Sequence, residues 1–143
     1  MGTRSTIAIQ NANGTVTGIY CHWDGYTAHN GRILQDCYTT EASVRELISF
    51  GDMSSLGESI HPDPEMEHTF NRSQNGVCVY YGRDRGEKNV EAKTCANWTA
   101  LLEDFGQEYD YLFVPGQGWE VRCYNGAGAL AEALERDAVA DEI

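Results

Sequence analysis

The sequence predicts an α+β domain in which an antiparallel sheet built from β-hairpins carries two or three helices on one side. Alternating apolar and polar residues occur in paired segments joined by short turn sequences, which is the pattern of β-hairpins. Segments with apolar residues at helical spacing lie between these pairs. A chain of 143 residues, of which 41% are hydrophobic, is long enough to bury one core. We therefore expect a single domain over residues 1–143.

The first half of the chain predicts one hairpin and two helices. Residues 6–10 and 15–23 alternate, and Asn13-Gly14 between them is a typical hairpin turn. A short helix is predicted over 32–38 and a longer one over 40–50. The longer helix is supported by Thr40 as its N-terminal cap, by the apolar face of Val44, Leu47 and Ile48, and by Gly51 as its stop.

The second half predicts two further hairpins and two helices. The region 52–75 contains two of the three prolines, so it should be irregular, with a short strand near 68–70. The remaining predicted elements are a hairpin of 77–81 and 90–93 with residues 83–87 at its tip, a helix over 97–106, a hairpin of 109–114 and 118–124, and an acidic terminal helix over about 127–140.

The charge balance is strongly acidic. The chain has 22 Asp and Glu residues against 10 Lys and Arg residues, which gives a net charge of −12. Because phosphate contacts require clustered basic side chains, this charge argues against direct binding to nucleic acid or to an anionic membrane. The acidic residues are concentrated in 58–67 and at the C-terminal end, regions that we expect to be exposed. A basic partner or a role in solubility would each explain the excess.

Sequence motifs argue against several classes of protein. No apolar run approaches the ~20 residues of a membrane-spanning helix, and the start lacks the apolar stretch of a secretory signal. The five cysteines contain no C-x-x-C pair, so we expect reduced thiols in a cytoplasm. Neither a Gly-rich phosphate loop nor a dinucleotide-binding motif is present. Residues 61–68 hold two histidines and three carboxylates, but at no established metal-ligand spacing. We predict no cofactor, no metal and no catalytic residue.

Residues 20–30, the first polar segment, follow the second predicted strand and combine titratable and aromatic side chains. Strand alternation would place His22 and Asp24 on one side and Trp23 on the other, with a turn at Gly25. As a ligand site, the segment would form a polar recess or use His22 in acid–base chemistry with Asp24 as its orienting partner. As a structural element, it would be a strand-end network with Trp23 in the core. The candidate ligand residues are His22, Trp23, Asp24, Tyr26 and Asn30.

Residues 80–87, the second polar segment, hold two arginines beside two tyrosines in an otherwise acidic chain. A planar guanidinium binds phosphate or carboxylate through paired hydrogen bonds, and tyrosine rings can stack on a nucleotide base. In the alternative interpretation, the charges pair with each other in water and add little to stability. We expect this segment to face His22, Asp24 and Tyr26 across a single recess. The candidate ligand residues are Tyr81, Arg83, Asp84, Arg85 and Glu87.

Five segments of the chain resemble segments of a known protein family. They are residues 2–5, 20–26 (YCHWDGY), 51–56, 81–87 (YGRDRGE) and 108–113, which together span most of the chain. In these segments the chain resembles a family of small phage-encoded proteins of unassigned function. The resemblance implies an accessory protein made in an infected bacterial cell and located in its cytoplasm. It implies no activity, catalytic residue or cofactor, and the acidic terminal helix lies outside the matching segments.

Small accessory phage proteins often disable host defences by binding, so we consider three functions. In the first, the protein binds and sequesters a nucleotide-derived immune signal without turnover, with Arg83 and Arg85 on phosphate and an aromatic side chain stacked on a base. In the second, it is an acidic inhibitor or nucleic-acid mimic that binds a basic host protein. In the third, it is a hydrolase that cleaves the signal. Exposed sheet edges further predict a homodimer or larger assembly.

Overall fold

The computed structural model describes residues 3–123 and 126–142, in which eight strands, five α-helices and one π-helical turn follow one another. In chain order the elements are β1 (Ser5–Gln10), β2 (Val16–Cys21), the π-helical turn (Thr27–Gly31), α1 (Arg32–Cys37), α2 (Glu41–Ser49), β3 (Met53–Ser55), β4 (Val79–Tyr80), α3 (Tyr81–Arg85), β5 (Lys93–Cys95), α4 (Trp98–Phe105), β6 (Tyr109–Val114), β7 (Gly118–Cys123), β8 (Gly126–Ala129) and α5 (Leu130–Glu142).

The strands form one mixed sheet with the order β4-β3-β2-β1-β6-β7-β8. β5 pairs with the first half of β2, while β3 pairs with the end of β2. Neighbouring strands are antiparallel except for β1–β6 and β2–β3, which are parallel. These two pairs join strands that are separated by long connections containing helices, as parallel pairing requires. The predicted α+β class, with a sheet built mostly from antiparallel pairs, is confirmed.

Two of the three predicted hairpins are confirmed. β1 and β2 pair from Ser5 opposite Cys21 to Gln10 opposite Val16, and Gly14 in their turn has a φ of 87°. β6 and β7 pair in the same way and are joined by a turn over 115–117. The predicted final residue of that hairpin, Tyr124, lies outside the described residues.

The second predicted hairpin is wrong. β4 pairs with β3 and β5 pairs with β2, while residues 81–85 form the single helical turn α3. The Asp84 carboxylate accepts a hydrogen bond from the Tyr80 N–H at 2.8 Å, which stabilises the start of this turn. Gly86 ends it in the left-handed conformation, with a φ of 73°. These two features favour a helical turn over a hairpin tip.

Helices cover both faces of the sheet. α1, α2 and α5 pack on the face that carries Ile7 and Ile19. α4 packs on the opposite face, where Leu101 and Ala8 belong to a second, smaller core. Gly18 leaves room for this packing, because a Cβ on Gly18 would make tight contacts at 3.0 Å with the Ala8 Cβ and at 3.3 Å with Leu101 Cδ1. The structure therefore differs from the expected one-sided arrangement in the position of α4.

The helix caps agree with the sequence. The side chains of Thr40 and Asn97 accept hydrogen bonds from N–H groups in the first turns of α2 and α4, at 3.1 and 2.8 Å. The terminal helix begins at Leu130, later than predicted, because residues 126–129 pair with β7 as β8. The short strand expected at 68–70 does not form, since these residues belong to the irregular region between β3 and β4.

Candidate functional site

A tight turn leads the first polar segment away from β2. The Gly25 N–H donates to the Thr3 carbonyl at 2.7 Å, and the buried Tyr111 hydroxyl donates to the Gly25 carbonyl at 2.6 Å. A Cβ at position 25 would lie 2.8 Å from both the Thr3 carbonyl oxygen and the Ser5 Cβ, so only glycine fits. Asp24 has a φ of 56°, a conformation that Asp tolerates better than most residues. The turn is therefore fixed against β1.

Asn30, a predicted ligand residue, is fully buried and holds this turn from inside. Its amide nitrogen lies 3.2 Å from the Trp23 carbonyl oxygen, 3.3 Å from Ser5 Oγ and 3.5 Å from Cys21 Sγ. Its Oδ1 is 2.9 Å from His29 Nδ1, which places the proton of a neutral His29 ring on Nδ1. The polar atoms of Asn30 are thus occupied within the protein, so its role is structural.

His22 has a tyrosine partner instead of the expected carboxylate. The Tyr20 hydroxyl and His22 Nδ1 are 2.6 Å apart. No hydrogen bond or ion pair joins His22 to Asp24 among the residues that the structure describes. The acid–base hypothesis required Asp24 to orient the imidazole of His22. Asp24 does not do so.

Two aromatic side chains of the first polar segment lie on the surface. Trp23 is 43% exposed and Tyr26 is 40% exposed, so the interpretation that placed Trp23 in the core is wrong. The Trp23 ring meets the His22 ring edge to face at 4.7 Å, and the Tyr26 ring lies 6.1 Å from the His29 ring. Exposed Trp and Tyr side chains are uncommon on free surfaces and enriched at binding interfaces.

A cleft of about 370 Å³ opens beside the turn. Asp24 and Glu58 are the acidic residues of its lining, and neither carboxylate has a hydrogen bond or ion pair within the part of the chain that the structure describes. Among the described residues, no Lys or Arg lines it. The sequence did not single out Glu58 because only the fold brings it near Asp24. The lining residues are Asp24, His29, Ile33, Ser55, Leu56, Gly57, Glu58, Ser73, Gln74, Asn75, Gly76 and Val77.

Arg83, expected to bind phosphate, is bonded to the protein itself. Its Nη1 donates to the Ile60 carbonyl at 2.7 Å, and its Nη2 donates to the Cys78 carbonyl at 2.9 Å. Its Nε donates to Asp84 Oδ1 at 3.0 Å, and the guanidinium stacks on the Tyr80 ring at 4.8 Å. The side chain is only 20% exposed. A ligand phosphate would have to displace these bonds, so Arg83 is a structural residue.

Asp84 is the centre of a buried polar network. The network includes His68, which the sequence did not link to Asp84. The Asp84 side chain is 5% exposed, and His68, 3% exposed, lies 3.4 Å away through Nε2. His68 Nδ1 accepts a hydrogen bond from the Gln74 N–H at 3.0 Å, so a neutral ring carries its proton on Nε2, facing Asp84. No local signal in the sequence pairs positions 68 and 84. Among the described residues, no group of His, Cys, Asp or Glu could hold a metal ion.

Arg85 remains on the surface. Its guanidinium lies 4.4 Å from the Phe70 ring and 5.0 Å from the Tyr81 ring, and its Nη2 is 2.5 Å from Glu87 Oε2. Almost half of its side chain is exposed. Of the two arginines predicted to bind phosphate, only this one is accessible, and it already has a carboxylate partner.

The two polar segments meet in part: Tyr81 is hydrogen-bonded to Ser54 and lies near Tyr20, whose hydroxyl is 2.6 Å from His22 Nδ1. They start at neighbouring points, because Cys21 pairs with Met53 and Met53 pairs with Tyr80. However, β4 is antiparallel to β2 and β3, so the chain leaves Cys21 and Tyr80 in opposite directions. Asp24 lines the cleft with residues 55–58, and no described residue of α3 belongs to that lining. The prediction of a single recess shared by the two segments stays a prediction.

An acidic loop, residues 58–67, borders the cleft. Gln74, which lines the cleft, holds the loop: its Oε1 accepts from the Asp63 N–H at 2.9 Å, and its Nε2 donates to the Asp63 and Met66 carbonyls at 3.0 and 3.2 Å. Met66 is 62% exposed between the exposed Glu65 and Glu67. The loop therefore places carboxylates and an apolar side chain next to the cleft.

Comparison of the chain with models of known families, with curated proteins and with solved structures gave no match. The resemblance to the phage family therefore stays a prediction. Within the described ranges, every helix is too short or too polar to cross a membrane.

We expect the protein to lose stability in alkaline solution. Burial raises the pKa of the Cys21 thiol from its usual 9.0 to about 12, and burial also raises the pKa of the Tyr38 and Tyr80 hydroxyls. Between pH 9.0 and about 12 the folded state holds the Cys21 proton more tightly than the unfolded state, so the free energy of unfolding falls as pH rises. One such group contributes about 1.4 kcal/mol per pH unit. Urea unfolding measured at increasing pH should show this fall, and the fall should be shallower in Cys21→Ala. An equal slope in both proteins would contradict the assignment.

Proposed function

We propose that this protein is a non-enzymatic binding protein whose acidic surface binds a basic surface of a partner protein. One observation carries the proposal: Asp24 and Glu58, which have no described partner, line one cleft, and the exposed Trp23 and Tyr26 are close to Asp24 in the chain. Arg83, expected to bind phosphate, is instead bonded to carbonyls of the protein. We call this surface the docking face. It comprises Trp23, Asp24, Tyr26, the cleft and the acidic loop 58–67.

The composition of the docking face suits a protein partner. Trp, Tyr and Met are enriched where proteins bind each other, and Trp23, Tyr26 and Met66 are the large apolar side chains exposed in the described part of the chain. Gln74 ties the loop that carries Met66 to the cleft that Asp24 lines, so these features belong to one region. Carboxylates around apolar contacts steer a basic partner to the face and raise its association rate.

The biological setting follows from the resemblance to phage proteins. In an infected bacterial cytoplasm, a basic groove that normally binds nucleic acid is a frequent feature of defence nucleases and polymerases. An acidic protein that covers such a groove would act as a counter-defence inhibitor or nucleic-acid mimic. The net charge of −12 supports this function, because it repels nucleic acid and attracts the proteins that bind it.

The proposal is tested by capturing bacterial lysate proteins on the immobilised protein and on two variants with equal charge. The loop variant neutralises the docking face (Glu58→Gln, Asp63→Asn, Glu65→Gln, Glu67→Gln). The control variant neutralises four acids elsewhere (Glu103→Gln, Asp104→Asn, Glu108→Gln, Glu120→Gln). We expect a basic protein to be captured by the wild type and the control and to be lost from the loop variant. Capture that is equal in both variants, whether retained or lost, would show that binding does not depend specifically on the acidic loop, and the proposal would fail.

Nucleotide sequestration is a second candidate, and one observation favours it. Arg85 with the Phe70 and Tyr81 rings offers a cation and aromatic surface of the kind that stacks on bases. This candidate predicts a saturable heat signal in calorimetry with cyclic or adenine-based nucleotides, and its loss in Arg85→Ala. A flat titration across the panel removes the candidate and leaves the protein-binding proposal intact.

A further inference from the structure

We propose that the cleft beside Asp24 receives one arginine side chain of the basic partner. This inference rests on the proposed function and names the contact at its centre. Binding energy at protein interfaces is concentrated in a few side chains that enter well-formed pockets, and arginine is among the commonest of them. The cleft is the place on the docking face where such a side chain can enter.

The chemistry of the lining selects a cation. Asp24 and Glu58 bring two carboxylates that have no protein partner within the described structure, and no Lys or Arg lines the cleft. An anion such as phosphate would meet repulsion from both carboxylates, and an apolar side chain would leave them desolvated without a partner. A cationic head group satisfies both. The volume of about 370 Å³ is small, at the lower end of the roughly 300–1,000 Å³ typical of ligand pockets.

The shape of the lining favours a long side chain with a planar head. Ile33, Leu56 and Val77 give the cleft an apolar part that can cover a methylene stem, while the carboxylates take the charged end. A guanidinium forms two parallel hydrogen bonds to one carboxylate. A lysine ammonium lacks this paired geometry, so arginine is the better fit.

The walls of the cleft are held in place before any ligand binds. The Asp24 carbonyl accepts a hydrogen bond from the buried Asn30 N–H at 3.2 Å, which fixes the wall that carries Asp24. Elsewhere in the lining, Gly57 and Gly76 pack so closely that a Cβ on Gly57 would lie 2.5 Å from the Gly76 carbonyl oxygen. Binding therefore orders few groups of this protein, which lowers its entropic cost.

The inference is tested by nuclear magnetic resonance with a defined probe. Uniformly ¹⁵N-labelled protein is titrated with N-acetyl-arginine amide, and the backbone amide shifts are followed. We expect saturable shifts at Asp24, Gly57 and Gly76, with a dissociation constant at least about tenfold weaker in Asp24→Asn/Glu58→Gln. The Glu103→Gln/Asp104→Asn protein, changed on α4, should bind like the wild type. The single variant Glu58→Gln, altered at an exposed position, replaces the double variant if the latter does not fold.

Two related probes define the chemistry. N-acetyl-citrulline amide has nearly the same shape without the charge, and N-acetyl-lysine amide has the charge without the planar head. Both should bind more weakly than the arginine probe. Equal binding of citrulline, equal binding of lysine, or arginine shifts that avoid the cleft would each overturn the inference.

The outcomes also separate this inference from the proposed function. If the arginine probe leaves the cleft unshifted while the loop variant still loses its captured partner, the docking face binds the partner without an arginine anchor. If the probe binds in the cleft but capture does not depend on the acidic loop, the cleft recognises arginine and the proposed protein-binding function fails.

Discussion

Replacing Asp84 with alanine is expected to lower the free energy of unfolding by about 3–5 kcal/mol, the usual cost of removing one member of a buried ion pair. The carboxylate of this 5% exposed side chain accepts hydrogen bonds from the Tyr80 N–H and the Arg83 Nε, and it faces His68 Nε2. Without it, the largely buried Arg83 loses its counter-charge and α3 loses the bond at its start. The loss should appear as a lower midpoint in urea unfolding followed by circular dichroism.

Asp104 on α4 provides the matched control for this prediction. Its nearest basic group, Lys93 Nζ, is 3.9 Å away, and more than half of each side chain is exposed. Pairs of this kind contribute little, so Asp104→Ala should change the free energy of unfolding by less than about 0.5 kcal/mol. If Asp84→Ala were as stable as Asp104→Ala, the second polar segment would not be a structural network, and Arg83 would again be a candidate for ligand binding.

Replacing Asn30 with alanine should destabilise the protein by about 1–3 kcal/mol, the cost of leaving a buried polar group without its partner. The substitution removes the amide that donates to the Trp23 carbonyl and to Ser5 Oγ, both of which hold the turn after β2. Since Asp24 belongs to this turn, arginine binding in the cleft should weaken as well. Urea unfolding and the ¹⁵N titration measure the two effects.

The control for Asn30 is Asn71, which is exposed in the loop between β3 and β4. Asn71→Ala should stay within about 0.5 kcal/mol of the wild type and leave the titration unchanged. A stable Asn30→Ala protein with an unaltered cleft would contradict the view that Asn30 is a structural residue.

Features that depend on neighbouring residues were predictable from the sequence. The Asn-Gly turn identified the first hairpin, and the caps Thr40 and Asn97 located α2 and α4. Features that depend on distant residues were not. Nothing local to residues 77–93 indicates that β4 pairs with Met53 or that Lys93 pairs with Gly18, and these contacts replaced the expected hairpin.

The difference between local and distant contacts also explains the outcome of the predictions about the site. The presence of an arginine at position 83 did not reveal whether it binds phosphate or stabilises the protein. Its partners in the structure include the carbonyls of Ile60 and Cys78, and the sequence does not show these contacts. In the first polar segment, Trp23 and Tyr26 lie on the exposed surface and remain candidate binding residues. The cleft itself joins segments that are far apart in the chain, so periodicity and motif analysis could not find it.

The most direct test of the account is the salt dependence of the dissociation constant between this protein and its captured basic partner, measured from about 0.1 M to about 1 M salt. We predict that the wild type and the control variant lose affinity steeply as salt is added, because charges on the docking face contribute to the complex. The loop variant should bind more weakly at low salt and show a shallower dependence. Affinities that are independent of salt, or equal slopes for the loop and control variants, would contradict the central claim that the docking face binds a basic protein surface.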